Sequence, residues 1–378
     1  MKAMILAAGK GTRVRPLTQV LPKPMIPVLG KPVMEYLVEE LARHGFNQVM
    51  VNTSHLATNI ESYFNDGRRW GVEIGYSFEG CIQDGEVVAQ PVGSAGGMRR
   101  IQDFGGFFDD TFLVVCGDAL IDLDLTTAIR RHWQSGAVAS LVATRVERSQ
   151  VSNYGVVVCD ERGRISEFQE KPSVEEARSD LVNTGIYIFE PSALELVPPG
   201  VDFDIGRDLF PAILAAGLPF HAIDLPFTWI DIGRLSDYWD ANQRLMRGHL
   251  NFVRMPGTEV FPGVWCGLNV KVDWDDVRLE GPVYIGAGSN IMGGAEILGP
   301  TWIGHGCVIE GGARVRRSIL FEYSRLGGRA HVDEAVVFGR NCVDKEGNPV
   351  HDGDRELDWV TDSRDAPEES RAGAPTAR

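Results

Sequence analysis

The sequence predicts two architectures in one chain: an α/β domain on a mostly parallel sheet, then a parallel β-helix. Three observations carry this. Short apolar runs alternate with helical patterns from residue 1 to about 250. From Met255 on, Gly, Pro and short apolar residues dominate and helical patterns vanish. Within that stretch apolar residues return at every sixth position.

Lys2–Ala7 reads as the first strand, Met34–Arg43 as a helix and Gln48–Asn52 as a strand. Thr58–Phe64 follows as a helix, then Val72–Ser77 and Phe112–Cys116 as strands. Asp122 and Asp124 read as helix-start residues for Leu125–Ser135. Ligands of such sheets bind at the carboxyl ends of the strands, which directs attention to the loops after Ala7, Cys116 and Trp229. In the second part, Ile285, Ile291, Ile297, Ile303, Ile309, Val315 and Phe321 are six residues apart. The phase slips by one and resumes at Leu326, Val332 and Phe338. Small residues between them, such as Gly286, Gly304 and Ala313, complete a hexad in which each repeat forms one side of a triangular coil. The polar, Pro/Ala-rich tail from about Thr361 predicts disorder.

Composition excludes several classes. The 378 residues are enough for two domains, and a net charge of −15 argues against a general nucleic-acid binder. No apolar run approaches the roughly 20 residues that span a membrane. Met4–Ala8 is too short for a signal peptide, so a cytoplasmic protein is expected. Cys81, Cys116, Cys159, Cys266, Cys307 and Cys342 form no CxxC pair and no zinc-like spacing with His, and read as buried free thiols of a reducing compartment.

Against this acidic background the first 34 residues carry Lys2, Lys10, Arg13, Arg15, Lys23 and Lys31 and no acid. Four of these cations lie in LAAGKGTRVRPLTQVLPKP, where Gly9 and Gly11 let backbone N–H groups approach a ligand and Pro16, Pro22 and Pro24 hold an extended path. So much like charge in one loop calls for an anion, and a triphosphate fits. The loop contains neither GxGxxG nor GxxxxGK[ST]. Asp118, in LVVCGD, and Asp231, in FTWIDIG, follow apolar runs and could together hold Mg²⁺ between phosphate oxygens. In FQEKP, Glu170 could accept sugar hydroxyl bonds and Lys171 could hold a phosphate. QPVGSAGGM is a second glycine-rich turn that could lie flat against a base.

Taken together, LAAGKGTRVRPLT with PKP, GSAGG, CGD, EKP, VNTGIY and WIDIG resemble, in this order, the NDP-sugar pyrophosphorylases, the sugar-1-phosphate nucleotidylyltransferases. The likeness spans residues 1–245. It implies a Rossmann-like (GT-A-like) nucleotidyltransferase domain over 1–250, a left-handed hexapeptide β-helix over 251–345 and a tail over 346–378. It also implies roles. Arg13 would stabilise triphosphate charge, and Lys23 would contact the α-phosphate or departing pyrophosphate. Asp118 and Asp231 would bind Mg²⁺, and Lys171 the sugar phosphate. Glu170, Asn183, Thr184, Gly185 and Gly155 would line the sugar pocket. Gln90, Gly93 and Ser94 would face the base beside Ala7, Ala8 and Gly9, with Gly11 and Thr12 completing the nucleotide loop.

The base loop departs from the Glu-Pro-Leu-Gly-Thr-Ala-Gly form usual in the guanylyl branch, and Phe78–Val88 is longer than that branch implies. HLATNIESYF and GSAGGMRRIQDF look most like cyanobacterial-type members, which points to UTP and glucose 1-phosphate. Mannose-1-phosphate guanylyl and glucose-1-phosphate thymidylyl transfer are the alternatives. An inactive regulatory paralogue is disfavoured because Arg13, Lys23, Asp118, Lys171 and Asp231 are all present. An additional acetyltransferase activity is disfavoured because His305 is the only attractive base in a short repeat. The β-helix reads instead as a surface for homo-oligomer assembly.

Overall fold

The computed structural model describes residues 1–249, 253–350 and 358–365. By their contacts they divide into two compact units. The first holds Met1–Thr12, Thr18–Ile26 and Lys31–Asp231, and the second holds Arg13–Leu17, Pro27–Gly30 and the chain from Ile232 on.

The first unit is a nine-stranded sheet with helices on both faces, together with a separate two-stranded ladder of Ala119–Ile121 and Trp229–Asp231. In chain order its parts are β1 (Lys2–Leu6), α1 (Val33–Arg43), β2 (Gln48–Thr53), α2 (Ala57–Phe64) and β3 (Glu73–Phe78). Then come α3 (Ser94–Gly105), β4 (Phe112–Cys116), β5 (Ala119–Ile121), α4 (Leu125–Ser135) and β6 (Ala139–Arg145). β7 (Gly155–Cys159), β8 (Ile165–Glu170), β9 (Leu181–Phe189), α5 (Phe210–Ala215), β10 (Phe220–Asp224) and β11 (Trp229–Asp231) complete it. β1 is buried on both sides, so after Lys2 it is apolar without alternation from Ala3 to Leu6. Ala3 and Ile5 join a core with Leu37 and Leu41 of α1, Ile60 of α2 and Ile129 of α4. Met4 joins the opposite core with Met98 of α3 and Phe210 and Ile213 of α5.

The expectation of a mostly parallel sheet holds for half of it. β4, β1, β2 and β3 are parallel neighbours, as are β6 and β10. β9 runs antiparallel to β4 and β6, and β7 antiparallel to β8 and β9. For β7 and β8 the reason is connection length: the tight turn at Asp160–Arg164, closed by Asp160 N–H donating to Arg164 O at 3.0 Å, leaves no room for a crossover helix. Asp124 caps α4 as expected, accepting from Thr127 N–H at 3.0 Å. Asp122 does not; its carboxylate accepts instead from the backbone N–H of Thr228, tying β5 to the loop before β11. The long segment after Phe78 is a β-hairpin, Gly80–Gln83 with Glu86–Ala89, and its two-residue turn has Asp84 and Gly85 at φ 52 and 82.

The second unit contains a parallel β-helix of three sheets. One side stacks Cys266, Ile285, Ile303, Leu320 and Val337. The next stacks Val272, Ile291, Ile309 and Leu326, and the third Leu279, Ile297, Val315 and Val332. The hexad expectation needs one correction. The shortened sides end at Leu320 and Val337, which enter the core, whereas Phe321 and Phe338 do not belong to it. Those two rings lie 6.0 Å apart, with Tyr238 of α6 (Leu235–Met246) 6.4 Å from Phe321. Both rings pack outside the coil interior.

The expected disorder from Thr361 is also corrected in part. Val360–Asp362 pairs antiparallel with Ser324–Leu326, and Trp359 and Val360 are buried. The remainder of the tail, 366–378, lies outside the described residues. Cys266, Cys307 and Cys342 are buried as expected; Cys81 on the hairpin is exposed, and Cys116 and Cys159 are half-buried. His305 is an exposed corner residue edge-on to Tyr323. Among the described residues no helix is long and apolar enough to cross a membrane.

Candidate active site

Leu6, Asn52 and Cys116 share one register at the carboxyl ends of three adjacent parallel strands. A cavity of about 420 Å³ opens there, within the first unit. Ala8, Gly9, Lys10, Gly93, Ser94 and Asp118 line it, together with Leu6, Asn52, Glu79, Pro91 and Cys116. The two glycine-rich loops and the first acid thus meet around one space.

Each part is held by identifiable contacts. Gly117 N–H donates to Leu6 O at 2.9 Å, and a Cβ on Gly117 would sit 3.0 Å from that oxygen and 3.3 Å from Pro24. CGD therefore packs directly on the first strand and on PKP. Lys23 ion-pairs with Asp118, and its ammonium is mostly buried. Gly11 has φ +59, and a side chain there would press on Thr18 and on the Lys23 stem at 2.9 and 3.0 Å, so only glycine fits. Thr12 is exposed beside it. Arg13 is exposed and groups by its contacts with the second unit.

Asp231 is the register partner of Ala119, the residue after Asp118. The antiparallel β5–β11 ladder thus brings the two acids, distant in sequence, to neighbouring positions. Their proximity is felt at Cys116. Burial chiefly, then the negative fields of Asp118 and Asp231, push its thiol well above the usual range, and Lys23 only partly opposes them. Gly185 has φ +76 and backs onto the same thiol, with a Cβ there only 2.7 Å from Sγ. Asn183 supports it by accepting from Gly185 N–H at 2.9 Å. Thr184 is buried, and its hydroxyl donates to Val142 O at 2.7 Å.

Glu170 and Lys171 are exposed and pair with each other at 2.7 Å, with Lys171 at φ 44. Glu170 is opposite Gly155 in the β7–β8 ladder, and the Phe168 ring covers Gly155 so closely that a Cβ would lie 2.4 Å from it. These residues, like Gln90, Asn183 and Thr184, do not line the cavity itself. Gln90 is exposed, with its N–H donating to Glu79 O at 3.0 Å. Ser94 donates to Asp204 Oδ2 at 2.7 Å and accepts from Ile205 N–H at 2.8 Å, fixing the start of α3.

The sequence reading missed Asn52 and Glu79. Ala7 N–H donates to Asn52 Oδ1 at 2.7 Å, and Asn52 Nδ2 donates to Glu79 Oε1 at 2.8 Å. Burial pushes the Glu79 carboxyl up, opposed by hydrogen bonds from Asn52 and Val92. Asn52 is the next-to-last residue of β2 and Glu79 directly follows β3, so both stand at carboxyl ends of strands, the one signal that pointed their way.

A nucleotidyl transferase family model matches residues 2–248, and a UTP–glucose-1-phosphate uridylyltransferase of Synechocystis is 55% identical over all of this chain and 98% of its own length. The chain belongs to the nucleotidyl transferase family. It is also 33% identical to a mannose-1-phosphate guanylyltransferase of Mycobacterium tuberculosis over 65% of each chain. Two solved folds agree with the α/β layer. A Bacillus anthracis protein crystallised with sucrose has TM-score 0.56 at 24% identity, covering 68% of this chain and 98% of its own. HddC from Yersinia pseudotuberculosis has TM-score 0.53 at 23% identity, covering 65% and 99%.

Nucleotidyl transferases of this kind act on a nucleoside triphosphate and a sugar phosphate and work with a divalent metal ion. The donor set fits such an ion. Asp118 and Asp231 offer hard oxygens side by side, and no group of three or more His, Cys, Asp or Glu among the described residues forms a closed cage. Two carboxylates with substrate phosphates completing the shell is how Mg²⁺-type sites are built.

Proposed function

We propose that this nucleotidyl transferase joins UTP to glucose 1-phosphate, giving UDP-glucose and pyrophosphate. One observation carries the reading: 55% identity over the whole chain to a uridylyltransferase of that specificity. The non-guanylyl wording of the base loop, QPVGSAGG, favours it further.

The triphosphate is bound by Gly9, Gly11, Thr12 and Lys10 of the first loop, and the base by Ala7, Ala8, Gln90, Gly93 and Ser94. A phosphate oxygen of the sugar phosphate attacks the α-phosphorus in line; the bond to the bridging oxygen breaks and pyrophosphate leaves. Lys23 neutralises charge at the α-phosphate, Arg13 along the triphosphate, and Lys171 on the attacking phosphate. Glu170, Gly155, Asn183, Thr184 and Gly185 shape the sugar pocket. Asp118 and Asp231 would hold Mg²⁺, which when bound would supply positive charge to the phosphates of the triphosphate. No side chain needs to act as a covalent nucleophile, and Cys116 serves as a passive wall of the cavity.

The protein also assembles into a homo-oligomer through its β-helix. Val260, Phe261, Leu268, Trp274 and Met292 stand exposed on the first coils, more apolar surface than a solvated solenoid needs.

A matrix of UTP, GTP, dTTP, ATP and CTP against glucose, mannose and galactose 1-phosphates, read by pyrophosphate release, tests the reading. UTP with glucose 1-phosphate is expected to be fastest. A faster GTP–mannose pair overturns the substrate assignment, and no release with any pair overturns the activity.

A further inference from the structure

The two glycine-rich loops are joined by a buried hydrogen-bond relay whose direction is fixed at both ends. Ala7 N–H, from the first loop, donates to Asn52 Oδ1 at 2.7 Å. Asn52 Nδ2 donates to Glu79 Oε1 at 2.8 Å. Val92 N–H, from the second loop, donates to Glu79 Oε2 at 3.3 Å. Asn52 is 3% exposed and Glu79 1%, so a lost partner leaves a buried polar group to be satisfied.

The chemistry at position 79 follows from parity. Both ends are backbone N–H groups, which only donate. Asn52 contributes one acceptor and one donor, so the next residue must contribute two acceptors. A carboxylate does this. An amide of the same shape does not, because its NH₂ would meet either Val92 N–H or the Asn52 amide. A buried acid that burial works against is therefore retained for geometry. The main chain of Glu79 adds to the tie, accepting at its carbonyl from Gln90 N–H at 3.0 Å and Ser54 Oγ at 2.9 Å. The first turn of α3 is shaped to the relay as well. A Cβ on Gly97 would lie 2.5 Å from Glu79 Oε1 and 3.4 Å from Asn52 Nδ2, so a side chain there would break it.

We propose that Asn52 and Glu79 are positioning residues that set the spacing between the phosphate loop and the base loop, and hence nucleotide affinity. This deepens the nucleotidyl transfer reading and rests on it. The two residues touch no reacting atom; they act through Ala7 and Val92.

The test is a polarity swap. In Asn52→Asp/Glu79→Gln, the central bond reverses: Ala7 N–H donates to Asp, Gln donates to Asp, and Val92 N–H donates to Gln. Shape and net charge are unchanged. Glu79→Gln alone is expected to speed amide exchange at Val92 or Ala7 in the substrate-free protein and to raise KM for UTP roughly tenfold. KM for glucose 1-phosphate should stay within about twofold, which a general loosening of the fold would not spare. The double variant is expected to return exchange and KM for UTP to within about threefold of the parent. A misfolded Glu79→Gln beside a folded double variant supports the relay equally. Parent-like exchange and KM in Glu79→Gln overturn it, as does a double variant no better than the single. If the parent turns over no substrate pair, the activity reading fails, while exchange at Ala7 and Val92 still decides the relay.

Discussion

The two units use the smallest residue for opposite ends. In the α/β unit, Gly117 and Gly185 let Leu6, Pro24 and Cys116 close up behind a cavity, each meeting a different neighbour. In the β-helix, Gly286 lies under Gly304 and Gly304 under Phe321–Glu322, each a Cβ-length from the coil above. The first contacts each involve a different kind of neighbour; the second recurs at one corner, where Gly267 lies under Ala287 as Gly286 lies under Gly304. Uniqueness marks a site, and repetition marks a scaffold. Damage to the first should therefore show in turnover, and damage to the second in stability or assembly.

Asp118→Ala should break the comparison most visibly. It removes one of the two neighbouring carboxylates, and turnover should fall on the order of 10²–10³. The melting temperature should fall by less than for a core truncation, because what is lost is the ion pair with the mostly buried Lys23 and no apolar packing. Equal turnover in this variant, measured by pyrophosphate release, would place the chemistry elsewhere. Ile303→Ala is the converse. Ile303 is fully buried in the β-helix core, and its loss should cost about 2–5 kcal/mol in denaturant unfolding. Turnover per folded molecule should be unchanged. A smaller effect is expected from Leu268→Ser with Trp274→Ser. Both side chains are exposed, so unfolding should shift by no more than about 0.5 kcal/mol. Light scattering should report weaker association, and an unchanged mass would count against assembly through these coils.

Much of the fold was legible because its signals are local. The strand ends Leu6, Thr53 and Cys116 fall within one residue of where apolar runs stop, and Asp124 caps its helix as its position before Leu125–Ser135 implies. What could not be read depends on pairing. The antiparallel run of β9 beside β4 leaves no periodic trace in the sequence. The same holds in the site. Lys23 and Asp118, singled out by charge and by strand-end position, do meet. Asn52 and Glu79 look unremarkable until the sheet brings their strand ends to the same edge, where their value lies in each other. Phe321 was misjudged because hydrophobicity alone cannot tell an inward side chain from one on the next position that packs outside.

The short sides of the solenoid carry a lesson for how such a chain tolerates change. Val315 to Leu320 and Val332 to Val337 are one residue shorter than the common six-residue step, yet each following strand keeps its place over the one before it. In a hairpin a single deletion turns the inner face outward along a whole strand. Here the coil already formed acts as a template, and the lost residue is absorbed at a corner. Errors of length are thus confined to the turn in which they arise, so the array can drift at its corners without losing its core.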